Sequence, residues 1–212
     1  DGRVIAKTQR INPALSLDDP GNQPRVHETM KEQFAREVEL VVVAMIFPSL
    51  VQILKEHRVT KDFLVEVCIH SPIVPSGRER LLGYALWLGF EKDFGAAIHL
   101  LCPQVEHIVR SLLKGNGTQT TITDKNGITT EMSLSSLMEN KEIVGLLGED
   151  VAFELRSVFT DPSVFNLRNK VAHGLLDDDS SYTEWTIYAW WMVLRMVFDS
   201  IYWKYAELDQ QT

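Results

Sequence analysis

Cysteine is scarce: Cys68 and Cys102 are the only two in 212 residues. Both sit inside apolar helical patterns, so they read as buried thiols rather than a disulfide. That fits a reducing, cytoplasmic compartment. Paired cysteines at zinc-ligand spacing are missing. The histidines His27, His57, His70, His99 and His107 also show no ligand spacing, so no metal is expected. A phosphate-cradling glycine-rich loop and a nucleophile elbow are missing too, and no cofactor is expected. No repeat or low-complexity tract is visible. The polar N-terminus lacks the apolar core of a signal peptide. The longest apolar run, around Trp190 to Phe198, is interrupted by Arg195, so no segment is expected to cross a membrane. Positive charge is in deficit, with a net charge of −8. This argues against a broad basic surface for double-stranded DNA or anionic membrane, but leaves room for a local basic cleft.

What is present describes a globular helical chain. Hydrophobic residues make up 45% and charged residues 24%, ordinary proportions that at this length support a substantial core. The chain starts at Asp1 rather than Met and reads as the C-terminal part of a longer protein. Residues 1–25, punctuated by Pro13, Pro20, Gly21 and Pro24, read as a disordered or wrapping arm with a short extended piece at Val4-Ile5-Ala6. Residues 26–212 read as one helical domain.

Met30, Phe34, Val38, Val41 and Met45 fall at helical spacing in a helix from Val26 to His57 that Pro48 should kink or break. Thr60 reads as the N-cap of a helix ending near His70. Ser76 and Glu79 form a capping-box pattern for a helix to Phe90. The next helix runs from Asp93 to Lys114, is kinked at Pro103, and stops at Gly115 and Gly117. Asn126-Gly127, flanked by β-branched residues, predicts a two-residue hairpin turn. Two short helices follow, over 134–146 and 149–159. The last, from Ser181 to about Leu208, is apolar nearly all round and should be central. The fold class is therefore all-α: a multi-helix bundle with one inserted β-hairpin.

The most informative stretch is Arg168-Asn169-Lys170-Val171-Ala172-His173-Gly174. Asp161-Pro162 reads as N-cap and N1 of the helix carrying it, and Gly174 as its stop. Asn169 and His173 are four apart and should share a helix face, which the long Arg168 side chain can reach. Arginine offers a forked cation for phosphate, and histidine titrates near neutral pH. Together they suit chemistry on a phosphodiester. A structural reading stands beside this one: an arginine paired with a carboxylate, and a histidine favoured by the helix C-terminus. Glu106 and Arg110 are either an i,i+4 surface pair or part of the site, with Glu106 holding Arg168 or His173. Lys170 reads as solvated, with phosphate contact as the alternative.

An Arg followed after four to six residues by a His, between two bundle helices, resembles the signature of the HEPN superfamily. The string Arg-Asn-x-x-x-His-Gly looks like that of a HEPN-related domain of unknown function. Pro103-Gln104-Val105-Glu106 with Arg110, and His173-Gly174-Leu175-Leu176-Asp177-Asp178 before a Trp- and Tyr-rich helix, extend the likeness over residues 77–205. The resemblance implies a helical bundle, often a homodimer, and in many members metal-independent cleavage of RNA. It implies His173 as general acid or base, Arg168 on the scissile phosphate and Asn169 orienting one of them. Glu106, Arg110 and Lys170 are candidate substrate contacts. The alternative it carries is a non-catalytic module that dimerises or binds a partner or nucleotide.

Overall fold

The computed structural model describes residues 11–209. It is about 68% helical with 3% strand, an all-α bundle with one β-hairpin. The described part of the expected N-terminal arm, residues 11–22, is folded into turns and ends earlier than expected. The buried Asn22 takes the Asn12 N–H and donates from its own amide toward the carbonyls of Asn12, Leu15 and Ser16, gathering residues 12–22 into turns. Helix α1 (Gln23–Val41) starts directly after it, three residues earlier than expected. The extended piece at residues 4–6 lies outside the described residues.

Pro48 does not break the first helix. A π-turn over Val42–Ile46 joins α1 to α2 (Phe47–Glu56), and the Phe47 N–H returns to the Val42 carbonyl five residues back. The wider turn lets the chain carry a proline without a clash against the preceding turn. It also turns the helix, so Val38, Val42, Ile46 and Leu50 face the core while Met45 is left 62% exposed. The result is one continuous helix, Gln23–Glu56. Its best 18-residue window is long and apolar enough to cross a membrane, with 22% of it buried. This corrects the reading that Trp190–Phe198 is the longest apolar run, which came from dividing the segment at Pro48.

Helix α3 (Lys61–His70) is capped by Thr60, whose hydroxyl accepts the Phe63 N–H. Helix α4 (Glu79–Phe90) begins without the capping box: Arg78 is its N-cap and no side chain caps it. It packs closely on α3 through Gly83, where a Cβ would fall 2.7 Å from the Val65 backbone. Helix α5 (Phe94–Gly115) runs on through Pro103 and is capped by Asp93, which accepts the Ala96 N–H. It ends in a Schellman motif: Gly117 has φ +76°, and the Thr118 N–H returns to the Leu113 carbonyl.

Strands β1 (Thr121–Thr123) and β2 (Thr129–Glu131) pair antiparallel. Their turn differs from the two-residue expectation. Asp124 still bonds the Ile128 carbonyl, its carboxylate takes the Asn126 and Ile128 N–H groups, and Gly127 sits at φ +81°. The aspartate side chain stabilises a three-residue loop in which glycine supplies the left-handed position. Short helices α6 (Leu134–Met138), α7 (Glu142–Leu147) and α8 (Glu149–Leu155) follow, the expected 134–146 helix being divided where Asn140 caps the Glu142 N–H. A second π-turn, Arg156–Thr160, closes α8.

Helix α10 (Glu184–Asp209) contacts α1, α3, α4 and α5, so it is central as expected. Trp190 is buried there. Its indole N–H donates to the Leu86 carbonyl at 2.8 Å, and its ring meets Phe90 and Phe94 edge-on. Arg195 is paired with Glu154 and lies over the Trp191 ring.

Candidate functional site

The motif helix α9 is Leu167–Ala172 and does not start at Asp161. The second π-turn spends the Asp161 N–H on the Arg156 carbonyl. The Asp161 carboxylate then takes the Ser163 N–H and hydroxyl and the Lys31 ammonium, which ties this turn to α1. Asn166, left-handed at φ +54°, redirects the chain, and its carbonyl accepts the Asn169 and Lys170 N–H groups to open α9. Asp161-Pro162 is therefore not the N-cap and N1 of the motif helix; Asp161 closes a turn ahead of it.

The end of α9 was legible. Gly174 sits at φ +62°, its N–H returns to the Val171 carbonyl, and the Leu175 N–H returns to Lys170. This Schellman closure makes His173 the C-cap residue, with φ −101° and ψ 6°. His173 is exposed and has no side-chain hydrogen bond among the described residues. Its backbone N–H bonds the Asn169 carbonyl at 3.0 Å. The Asn169 side chain turns to Arg168 instead, accepting its Nη1 at 3.2 Å. Among the described residues no side-chain hydrogen bond joins Asn169 to His173.

Leu167 is buried and anchors α9 against α5. That places Arg168 beside Glu106, Nε donating to Oε2 at 3.0 Å. The other oxygen of Glu106 accepts Arg110 Nη2 at 2.8 Å. Arg110 also donates to the Met132 carbonyl at 2.7 Å, and its Nε lies 3.0 Å from the Glu131 carboxylate at the end of β2. Glu131 in turn holds Lys114. The hairpin thus braces Arg110, Arg110 braces Glu106, and Glu106 fixes Arg168. Burial alone would raise the Glu106 pKa. The hydrogen bonds from Arg110 and Arg168, with the Arg168 charge and a backbone bond from Leu134, outweigh it and hold the carboxyl below its ordinary range.

These residues wall a cleft of about 450 Å³ between α4, α5 and α9, lined by Arg78, His99, Cys102, Pro103, Glu106, His107, Arg110, Arg168, Val171 and Ala172. Asn169, Lys170 and His173 are not among its walls. Arg78, His99 and His107 are; an RNA-binding reading of the sequence offered Arg78 or Arg80 for a positive rim, and spacing had not joined the two histidines to the motif. The signal was present on α5: His99, Pro103, Glu106 and Arg110 recur at four- and three-residue steps, on one face beside the core stripe. His99 donates Nδ1–H to the Gly95 carbonyl at 2.8 Å, which leaves Nε2 as an acceptor in the neutral ring. Burial lowers the His107 pKa, and the charges of Arg78, Arg110 and Lys114 lower it further against the opposing pull of Glu131. Burial pushes the Cys102 thiol up to about 12, so it is no nucleophile.

A larger groove, about 720 Å³, lies between α1, α8 and α10. Its walls include Phe34, Phe153, Tyr188 and Trp191 with the carboxylates Glu37 and Asp150, and Arg195, its one cation among the described residues, is paired with Glu154. Among the described residues, no three His, Cys, Asp or Glu side chains converge at metal-holding spacing. The chain matches no family model, and no curated protein or solved structure matches it significantly.

Proposed function

We propose that this chain is a HEPN-type domain that acts on a phosphodiester of RNA without a metal, as a homodimer. Arg168 binds the scissile phosphate and stabilises its developing charge, and His173 serves as general acid or base. The 2′-hydroxyl is the internal nucleophile, so positioning supplies much of the rate. One observation carries this reading. Arg168 is fixed by Glu106 at the wall of a cation-lined cleft, while His173, one turn on, is exposed with its imidazole uncommitted. Because His173 stands outside that cleft, pairing of α9 with its copy across a two-fold axis is the arrangement that brings both groups to one phosphate.

A second reading, a non-catalytic binding or dimerisation module, is favoured by a specific observation. Arg168 already spends Nε on Glu106 and Nη1 on Asn169. Labelled RNA incubated with the protein in EDTA separates the two. Cleavage should occur, and His173→Ala should slow it by about 10²–10⁴-fold. A folded parent that leaves several RNAs intact, or a His173→Ala variant as fast as the parent, would sink the catalytic reading.

A further inference from the structure

The cleft walls carry three arginines against one carboxylate, in a chain whose net charge is −8. Two of those arginines are occupied: Arg110 by Glu106, Glu131 and the Met132 carbonyl, and Arg168 by Glu106 and Asn169. Arg78 has no ion pair and no side-chain hydrogen bond among the described residues. It sits at the N-cap of α4 without capping it. His107, facing the same space, likewise has no side-chain hydrogen bond there. His99 has committed only Nδ1. The groups of this cleft left uncommitted among the described residues are therefore Arg78, His107 and the Nε2 of His99.

We infer that Arg78 and His107, with His99 at the rim, form a phosphate-binding subsite for a nucleotide or a strand phosphate. A phosphate dianion suits this part of the cleft because its oxygens accept from a guanidinium fork and an imidazole N–H together. The positive charges of Arg78, Arg110 and Lys114 disfavour a protonated His107 in the free protein, and a bound anion would offset them. The subsite does not rest on cleavage at His173. It needs only that the cleft is open to solvent.

Calorimetric titration with inorganic phosphate at constant ionic strength tests it, repeated with a 5′-phosphorylated 2′-O-methyl RNA strand, which cannot be cleaved. Arg78→Gln and His107→Gln are compared with Arg80→Gln, which removes an exposed arginine two residues away that is not a cleft wall. Circular dichroism checks that each variant is folded. Phosphate should bind saturably, Arg78→Gln should weaken it about tenfold or more, and Arg80→Gln should change it less than about twofold. A loss confined to inorganic phosphate assigns the subsite to small phosphate-bearing ligands, and a loss shared by the strand assigns it to RNA. Absence of saturable phosphate binding by the parent, or equal behaviour of Arg78→Gln and Arg80→Gln, overturns the inference. RNA cleavage that fails while phosphate binding persists would remove only the catalytic proposal.

Discussion

Glu106→Gln is the substitution that probes the site most directly. The carboxylate accepts from Arg110 at 2.8 Å and from Arg168 at 3.0 Å, with side-chain exposures of 19% for Glu106, 11% for Arg110 and 26% for Arg168. Removing one partner from a fully buried pair costs about 3–5 kcal/mol. Here the residual exposure lets water reach both arginines, and glutamine keeps one acceptor oxygen for one of them. A loss of roughly 2 kcal/mol follows, since a hydrogen bond to a charged group contributes about 1.5–3 kcal/mol. For a chain of this size that is a fall in Tm of roughly 4–8 °C. The pH dependence has a definite sign. The folded carboxyl titrates below the unfolded value of 4.5, so its stabilisation is complete above that pH and is lost as the pH falls through the folded value. Thermal melts at pH 7 and in steps down to pH 3 should show the gap between parent and variant narrow in acid. Phosphate affinity should move the other way, rising roughly threefold to tenfold as Arg168 is released and one negative charge leaves the cleft. A gap under about 1 °C at neutral pH, a gap that does not narrow in acid, or weaker phosphate binding would refute the reasoning.

Two further substitutions test the packing that places the site. At Gly89 an added Cβ would run into the Trp190 indole, which is pinned by its bond to the Leu86 carbonyl. Gly89→Ala should therefore cost about 3 kcal/mol or more in urea denaturation followed by tryptophan fluorescence, and near-parental stability would contradict the close α4–α10 contact. Val42 is 1% exposed and Val43 is 64% exposed. Val42→Ala should cost roughly 1.5–2.5 kcal/mol and Val43→Ala under about 0.5 kcal/mol, and equal or reversed losses would rule out the π-turn register.

The elements that were legible in the sequence are those set by chemistry within a few residues. Thr60 and Asp93 each cap the helix they precede, and Gly174 and Gly117 supply the left-handed residue their helix ends require. The expectations that failed are those where a second local option competed. Ser76 and Glu79 match a capping box, yet Gly77 turns at φ +81° and the helix starts two residues later than that box would place it. Asp161-Pro162 could open a helix, but the preceding π-turn claims the Asp161 N–H and Lys31 claims its carboxylate. Pro48 could end a helix, and a π-turn absorbs it instead. The partnership of Glu106 with Arg168 spans 62 positions. It was open as one alternative, Glu106 holding Arg168 or His173, beside the reading of Glu106 and Arg110 as an i,i+4 surface pair. Arg78 reaches the cleft through the packing of α4 on α5, which no spacing rule encodes.

The charge of the chain and the charge of the cleft need to be weighed on different length scales. At physiological ionic strength fields decay over about 8 Å. The acidic residues that make the net charge −8 and lie on other faces therefore contribute little inside the cleft. There a ligand meets Arg78, His107 and the edge of the Arg110–Glu106–Arg168 network. The same acidity does act at longer range, where it repels a polyanion that tries to lie along the surface. A phosphate is then attractive only where its partner groups are within hydrogen-bonding reach, and extended tracking of a nucleic-acid backbone is disfavoured. This combination suits recognition of one or two phosphates rather than a long duplex. It makes the uncommitted Arg78, more than the already paired Arg168, the group through which such recognition would begin.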